Sequence, residues 1–233
     1  MINKNSEIWL ISGAGRGIGL AMTQAHLERG GTVLATYRNA LPESLSRLED
    51  NYPKRLIPIR FDQQQTLTSD EIAQYVPGPL DVIVHNAGVY GPRNSSLEGL
   101  DYTGILNTFD TNTLGVLRVS EAFLPFMKDA ANPKIAAISS LLGTPAKAGP
   151  NDMAYRLSKA ALNMAMHVMA ANVAPQKIAT ACLRPGHVRT DMGGPNGAIS
   201  PDESASALLT VIDQMTFSAK PVFLDLTGEP LAW

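Results

Sequence analysis

The regular alternation of short apolar runs with longer amphipathic stretches is the feature that most constrains the fold of this chain. Runs rich in Val, Ile and Leu predict strands at residues 8–12, 32–37, 55–61, 80–85, 135–140, 178–183 and 222–226. The stretches between them have the periodicity of helices, at residues 17–29, 41–50, 67–75, 97–128, 152–174 and 201–216. Nearly continuous apolar strands that alternate with helices are typical of a parallel sheet covered on both faces. The sequence therefore predicts a doubly wound α/β fold of about seven parallel strands, with helices on both faces.

The length of the chain fits one large domain. Its 233 residues contain no internal repeat, low-complexity tract or Gly/Ser linker, so we expect a single domain over residues 1–233. In such a sheet the carboxyl ends of the strands share one edge, where ligands bind. Two irregular segments, residues 89–96 and 192–200, follow strands at that edge. They are candidates for a substrate lid, and the alternative is that they are ordinary surface loops.

Composition and charge argue against several classes of function. The formal net charge is −2 and the basic residues are dispersed, so we expect no nucleic-acid partner and no anionic membrane surface. The single cysteine, Cys182, excludes an intramolecular disulfide and a multi-cysteine metal site, and we expect it to be buried. No pair of histidines has ligand spacing, so no metal is predicted. Neither a signal peptide nor an apolar stretch of about 20 residues is present, so we expect a cytoplasmic protein.

A glycine-rich loop connects the first predicted strand to the first predicted helix. It reads Ser12-Gly13-Ala14-Gly15-Arg16-Gly17-Ile18-Gly19, and a helical pattern follows at once. Glycines let a backbone approach a pyrophosphate closely, and a helix N-terminus supplies free N–H groups and a partial positive charge. Ile18 stands where the G-x-G-x-x-G fingerprint needs its third glycine, so the pattern is Gly13-x-x-x-Gly17-x-Gly19. The loop predicts a dinucleotide site at the edge of a Rossmann-type sheet.

Together with later motifs, this loop resembles the short-chain dehydrogenase/reductase family, whose glycine motif is T-G-x-x-x-G-x-G. The resemblance covers nearly the whole chain and rests also on Asp62, Asn86-Ala87-Gly88, Asn112, Ser139-Ser140-Leu141-Leu142-Gly143, Tyr155-x-x-x-Lys159 and Pro185-Gly186-His187-Val188-Arg189-Thr190. Ser12 replaces the threonine of the glycine motif, and His85 replaces the first Asn of the family's N-N-A-G. His85 and His187 adjoin these motifs and are candidates for lining the site.

The resemblance implies an oxidoreductase that transfers hydride between a nicotinamide cofactor and a carbonyl or alcohol substrate. The catalytic residues that it implies are Asn112, Ser140, Tyr155 and Lys159. The cofactor-binding residues that it implies are Gly13, Gly15, Arg16, Gly17, Ile18, Gly19, Tyr37, Arg38, Asp62, Asn86, Ala87, Gly88, Tyr155, Lys159, Pro185, Gly186, Val188 and Thr190. We prefer Ser140 to Ser139 because the family's serine lies in S-x-x-G, although the gap to Tyr155 is slightly longer than is common.

The spacing of Tyr155 and Lys159 predicts how the tyrosine exchanges a proton. Residues four apart share one face of a helix. An ammonium about 5 Å from a phenol favours the phenolate by roughly 3 kcal/mol at an effective dielectric near 20, or about two pKa units. We therefore expect a lowered pKa for Tyr155 as general acid, with Ser140 donating to the substrate oxygen. The resemblance also implies that Lys159 binds the nicotinamide ribose and that Asn112 holds a water linking Lys159 to solvent.

The end of the second predicted strand favours NADP(H) over NAD(H). An NAD enzyme of this fold needs an acid there, about 20 residues past the glycine loop, to bind the ribose hydroxyls. No Asp or Glu occurs between Glu28 and Glu43, and Tyr37 occupies the place of the acid. Arg16 and Arg38 stand where NADP-preferring relatives carry basic residues, and both are predicted to bind the 2′-phosphate.

Three further segments indicate a group within the family. Residues 155–164, 190–195 and 231–233 are similar to the sniffer-type carbonyl reductases and to the C-factor group. This similarity implies a small or medium carbonyl substrate. C-factor proteins are linked to intercellular signalling, so a dinucleotide-binding signal or sensor protein with incidental turnover stays an alternative.

The same resemblance implies self-association. The helix patterns at residues 97–128 and 152–174 are poor in charge, and the second is rich in small side chains that allow close packing across a two-fold axis. We expect a homodimer or homotetramer built on these helices. The alternative is that both helices only cover the sheet.

Overall fold

The computed structural model describes residues 7–93 and 96–233, and within them seven parallel strands form one central sheet. The strands are β1 (Ile8–Ile11), β2 (Thr32–Tyr37), β3 (Leu56–Arg60), β4 (Val82–His85), β5 (Lys134–Ile138), β6 (Ala179–Arg184) and β7 (Val222–Asp225). Their order is β3-β2-β1-β4-β5-β6-β7, and every neighbouring pair is parallel. This confirms the predicted fold class. The predicted loop at residues 89–96 includes Asn94 and Ser95, which lie outside the described residues.

Helices cover both faces of the sheet. They are α1 (Gly17–Glu28), α2 (Glu43–Asn51), α3 (Ser69–Ile72), α4 (Tyr102–Phe109), α5 (Gly115–Phe123), α6 (Met153–Val173) and α7 (Pro201–Gln214). Side chains of α1, α2 and α7 pack in one hydrophobic cluster, and those of α3, α5 and α6 pack in a second. Alternate strand residues serve the two clusters, so Trp9 and Ile11 lie in the first and Leu10 in the second. Cys182 is buried in the second cluster, as predicted.

The strand order reverses beside β1, and this places the site. From β1 the chain runs outward to β2 and β3, and it then returns to β4 on the other side of β1. The connections after β1 and β4 therefore leave the carboxyl edge in opposite directions and open a crevice between them, which is where ligands bind in sheets of this kind. The glycine loop borders the crevice on one side and Asn86 borders it on the other.

The long helix predicted at residues 97–128 begins five residues later than predicted and is not α-helical throughout, but it is continuous to Met127. The helix begins at Tyr102, where the Asp101 side chain caps it by accepting a hydrogen bond from the N–H of Gly104 at 2.8 Å. The segment Asp110–Leu114 is π-helical, and a 3₁₀ turn, Leu124–Met127, continues the helix after α5. A π-helical turn holds one residue more than an α-helical turn, and an apolar pattern read at 3.6 residues per turn does not reveal it.

The described part of the chain has neither a membrane-spanning helix nor a cluster of metal-ligating side chains. None of its helices is long and apolar enough to cross a membrane. Among the same residues, no group of three or more His, Cys, Asp or Glu side chains is arranged to hold a metal ion.

Candidate active site

The glycine loop between β1 and α1 packs against the segment that follows β4. Gly13 has a φ of +65°, and a Cβ there would lie 2.8 Å from the Cα of Ala87. A Cβ on Gly19 would collide with the side-chain amide of Asn86. The Ser12 hydroxyl accepts hydrogen bonds from the backbone N–H groups of Asn86 and Ala87, at 3.1 and 3.0 Å. The two segments form one close-packed unit, which needs glycine at both positions and a hydroxyl at Ser12.

The start of α1 is suited to an anionic group. The helix begins at Gly17, which has a φ of +54° and lies next to Thr190. The first turn of α1 contains no acidic side chain, and the side chain of Arg16 does not cap it. The free N–H groups of this turn and the positive end of the helix dipole are therefore available to a phosphate.

Most of the residues predicted to bind the cofactor line one cavity of about 850 Å³. Those in its wall are Gly13, Gly15, Arg16, Gly17, Ile18, Tyr37, Arg38, Asp62, Asn86, Ala87, Gly88, Tyr155, Lys159, Pro185 and Thr190. Gly19, Gly186 and Val188 are not in the wall. Gly19 lies against Asn86, Gly186 lies against Ile199, and Val188 is buried.

The cavity also includes residues that the motifs do not identify. They are Thr36, Asn39, Ala40, Pro42, Phe61, Gln63, Val89, Thr111, Ile138, Ser139, Arg189, Asp191, Met192 and Pro201. The Thr36 hydroxyl accepts a hydrogen bond from the N–H of Gly13 at 3.3 Å, and the Gln63 side chain donates to the Thr111 carbonyl at 2.7 Å. Several of these residues are immediate chain neighbours of motif residues, so position at a strand end is the signal that could have found them.

Tyr155 and Lys159 lie on the first two turns of α6, at the wall of the cavity. Lys159 is buried, and its Nζ donates a hydrogen bond to the Ile138 carbonyl at 2.7 Å. The same nitrogen lies 5.7 Å from the centroid of the Tyr155 ring. The helix therefore brings the phenol and the ammonium together, as their spacing predicts.

The predicted lowering of the Tyr155 pKa is wrong for this arrangement. Burial raises the pKa of Tyr155 to about 12, and the nearby Ser140 hydroxyl, which favours the phenolate, does not offset it. Burial lowers the pKa of Lys159 to about 8. The spacing of two residues gives their proximity, but the desolvation of the phenolate outweighs the attraction of an ammonium that is bonded to Ile138.

The two serines after β5 have different partners. The hydroxyl of Ser139 is buried and donates to Oδ1 of Asn163 at 2.6 Å. The hydroxyl of Ser140 lies near the Tyr155 phenol, where it favours the phenolate, and it accepts a hydrogen bond from the N–H of Leu142 at 3.1 Å. Gly143, three residues after Ser140, lets this turn approach α6, because a Cβ there would lie 2.7 Å from the carbonyl carbon of Lys159. Ser139 lines the cavity and Ser140 does not, but Ser140 is the serine whose hydroxyl interacts with the phenol.

Asn112 lies in the π-helical segment, and its side-chain amide bonds with protein groups. Its Oδ1 accepts from the N–H of Val89 at 2.8 Å, and its Nδ2 donates to the Val89 carbonyl at 2.8 Å and to the Ser158 hydroxyl at 2.9 Å. A Cβ on Gly88 would lie 3.2 Å from Oδ1 of Asn112 and 3.9 Å from Nζ of Lys159. Asn112 is therefore beside Lys159, and its amide holds the chain that follows β4.

The arginines predicted to bind a 2′-phosphate both line the cavity, but one has another partner. Arg16 pairs with Asp191 at 2.7 Å. Arg38 is exposed beside Tyr37 at the end of β2. Asp62, at the end of β3, lines the same end of the cavity and accepts from the N–H of Gln64 at 3.1 Å. This end of the site therefore combines an aromatic ring, two guanidinium groups and two carboxylates.

The two candidate histidines do not line the cavity. His85 is buried and its Nε2 lies 2.9 Å from the Ser120 hydroxyl, on the α5 side of the sheet. His187 is exposed, and its Nε2 lies 2.9 Å from the Gly193 carbonyl. For His85, adjacency to a motif misled the prediction because successive residues of a strand point to opposite faces.

Comparison with known proteins agrees with this geometry. Residues 7–199 match the family model described as short chain dehydrogenase. The C-signal protein of Myxococcus xanthus is 39% identical over 157 residues, which cover 67% of this chain and 94% of that protein.

Similar solved structures extend over almost all of the chain. A putative short-chain dehydrogenase/reductase from Burkholderia multivorans with bound NADP has a TM-score of 0.87 and 30% identity, covering 98% of this chain and 100% of that one. The carbonyl reductase Sniffer of D. melanogaster has a TM-score of 0.88 and 27% identity, covering 98% and 99%. These similarities confirm the resemblance found in the sequence. The chain is a member of the short-chain dehydrogenase/reductase family of oxidoreductases.

Proposed function

We propose that the protein is an NADP(H)-dependent reductase that transfers hydride between the nicotinamide and a small or medium carbonyl or alcohol substrate. Tyr155 is its general acid and base. The observation that carries the proposal is that Tyr155 and Lys159 lie in the wall of the same cavity that begins at the glycine loop. A dinucleotide bound along this cavity would reach from the loop to the phenol.

The residues present fit such a cofactor. Gly13, Gly15 and Gly17 leave the backbone of the loop bare, and a Cβ on Gly15 would come within 2.7 Å of Pro42. The N-terminus of α1 would take the phosphates, and Lys159 would donate to the ribose hydroxyls at the other end. When bound, the nicotinamide would supply or accept the hydride.

Tyr155 and Ser140 would have different roles at the substrate carbonyl. With a pKa of about 12, Tyr155 holds its proton at neutral pH and can donate it to the carbonyl oxygen as negative charge develops there. The hydroxyl of Ser140, which lies near the phenol, would donate a hydrogen bond to the same oxygen.

The test of catalysis is an assay of NADPH oxidation with a panel of aldehydes and ketones. Tyr155→Phe should lower turnover at least about a hundredfold, the scale of a lost acid–base group, and leave the affinity for NADPH nearly unchanged. Tyr75→Phe, in a turn after α3, is the matched control and should behave as the wild type. Near-normal turnover in Tyr155→Phe would rule out the assigned role.

We propose NADP(H) over NAD(H) because Tyr37, Arg38 and Arg16 line the adenosine end of the cavity and β2 ends without an acid. One charge-assisted bond to a 2′-phosphate contributes about 1.5–3 kcal/mol, which corresponds to a preference of roughly ten- to a hundredfold. The test is kcat/KM with NADPH and NADH on one substrate. Tyr37→Asp/Arg38→Ala should shift the ratio toward NADH, and Arg47→Ala on α2 should not. Equal use of both cofactors by the wild type would contradict the proposal.

A signal or sensor protein that binds a dinucleotide is the second candidate, and the similarity to the C-signal protein is what favours it. The same assay separates the two functions. A protein that binds NADPH but oxidises it with none of the carbonyl compounds fits the signalling function and not the enzymatic one. In either case we expect a cytoplasmic protein without nucleic-acid or membrane partners.

A further inference from the structure

The ring of Tyr90 lies face to face with the ring of Tyr155. The two centroids are 4.6 Å apart and the ring planes differ by 7°. The guanidinium of Arg93 lies over the Tyr90 ring, 4.1 Å from its centroid, and donates to the Met192 carbonyl at 3.5 Å. A stack of planar groups therefore runs from α6 through the connection after β4 to the connection after β6.

The backbone on both sides of Tyr90 is fixed. Both backbone polar groups of Val89 bond to the side chain of Asn112, at 2.8 Å each. Gly91 has a φ of +75°, and a Cβ there would lie 3.1 Å from the Cβ of Ala154 on α6. The position of the ring is therefore set by its neighbours on α6 and in the π-helical segment, and not by its own rotamer alone.

We propose that Tyr90 is a positioning and specificity-determining residue, which holds the ring plane of Tyr155 and selects aldehydes and methyl ketones over ketones that are bulky on both sides. This inference rests on the proposed reductase function. A carbonyl compound must bring its oxygen to the Tyr155 hydroxyl while its two substituents lie on either side. Tyr90 and Arg93 lie on one side of the Tyr155 ring, so a bulky substituent on that side would have to displace them.

The stack also affects turnover. Proton transfer requires the phenol to lie within hydrogen-bond distance of the carbonyl oxygen, and a small misplacement of a catalytic group is costly. A stacked aromatic neighbour with a cation above it restrains the Tyr155 ring in the required plane.

Kinetics with two substrates tests the selection. We would measure kcat and KM for benzaldehyde and for benzophenone, with NADPH, in wild type, Tyr90→Ala, Tyr90→Leu and Tyr90→Phe. In the Ala and Leu variants, kcat for benzaldehyde should fall by up to about tenfold, the upper range for a lost stacked pair. The ratio of kcat/KM for benzophenone to that for benzaldehyde should rise at least tenfold. Tyr90→Phe keeps the ring, so its kcat for benzaldehyde and its ratio of kcat/KM should be close to those of the wild type. An unchanged ratio in Tyr90→Ala and Tyr90→Leu would show that Tyr90 does not select between the two substrates.

Chemical modification gives a second readout that needs no turnover. Tetranitromethane nitrates a phenol ring beside its hydroxyl, so a covered ring reacts slowly. Nitration of Tyr155, measured by peptide mass, should be at least fivefold faster in Tyr90→Ala than in wild type or Tyr90→Phe. Equal rates of nitration in all three proteins would show that Tyr90 does not cover the ring of Tyr155. If the wild type reduced no carbonyl compound, the proposed function would fail while this experiment would still decide whether Tyr90 covers Tyr155.

Discussion

Arg16 in the glycine loop and Asp191 in the connection after β6 form an ion pair of 2.7 Å at the rim of the cavity. Both side chains are about three-quarters exposed, at 75% and 78%. Exposed pairs of this kind contribute only about 0–1 kcal/mol, because solvent screens them. Arg16 can therefore exchange Asp191 for a phosphate at little cost.

Exchange of partners at Arg16 predicts the behaviour of two variants. Arg16→Ala should lower the preference for NADPH over NADH by about tenfold, since it removes one charge-assisted bond. Asp191→Asn should keep or raise that preference, because it leaves the guanidinium without its competing carboxylate. The measurement is the ratio of kcat/KM for the two cofactors, and a loss of preference in Asp191→Asn would contradict the exchange.

The two serines after β5 form a matched pair for mutation. Ser140→Ala should lower kcat about a hundredfold or more, as expected for a lost donor to a developing oxyanion. Ser139→Ala should leave most of kcat but lower the free energy of unfolding by about 1–3 kcal/mol, because the buried Asn163 oxygen loses its donor. Steady-state kinetics and urea unfolding of both variants check this. The reverse pattern would assign the catalytic hydroxyl to Ser139.

Two buried histidines make stability depend on pH. Burial lowers the pKa of His26 and of His85 to about 3, well below the unfolded value near 6.5. Below about pH 6.5 the unfolded chain takes up protons that the folded chain does not. The free energy of unfolding therefore decreases as the pH is lowered. Each histidine should contribute a loss of about 1.4 kcal/mol between pH 7.5 and 5.5.

Urea unfolding at the two pH values measures this loss. His85→Gln should remove about half of the pH dependence even where it lowers stability overall. His187→Gln replaces an exposed imidazole and is the matched control. A free energy of unfolding that stays constant from pH 7.5 to 5.5 would show that neither histidine is held neutral.

An exposed apolar surface on α5 and α6 predicts self-association. Met164 and Val168 on α6 are 65% and 56% exposed, and a groove of about 360 Å³ between the two helices is lined by Leu117 and Val168. Light scattering should give a mass of about 50 kDa or a multiple of it, against 24.9 kDa for one chain. Met164→Glu/Val168→Glu should shift the protein to the monomer, and Gln24→Glu on α1 should not. A wild-type monomer at micromolar concentration would contradict the prediction.

Sequence patterns predict this fold well because a buried parallel strand and a glycine loop each correspond to a recognisable short run of residues. The runs 32–37 and 222–226 mark β2 and β7 to within one residue, and Gly143 identifies Ser140 because only glycine allows the close approach to Lys159. The extent to which a polar side chain is buried in the site has no such sequence pattern. The spacing of Tyr155 and Lys159 gives their proximity, but the direction of both pKa shifts depends on how much water the fold excludes. Likewise, no pattern predicts that Tyr90 stacks on Tyr155 across two elements.

The π-helical segment Asp110–Leu114 also limits how the chain can change. Each residue turns an α-helix by about 100°, so removal of one residue here would rotate α5 by about that angle relative to α4. Either Val119 and Phe123 would then leave the sheet, or Asn112 would leave Val89. Single-residue deletions should therefore be tolerated far less in this segment than substitutions at its exposed positions. The additional residue changes the rotation of the helix about its axis. It thereby lets Asn112 bond to Val89 while α5 still packs its apolar side chains on the sheet.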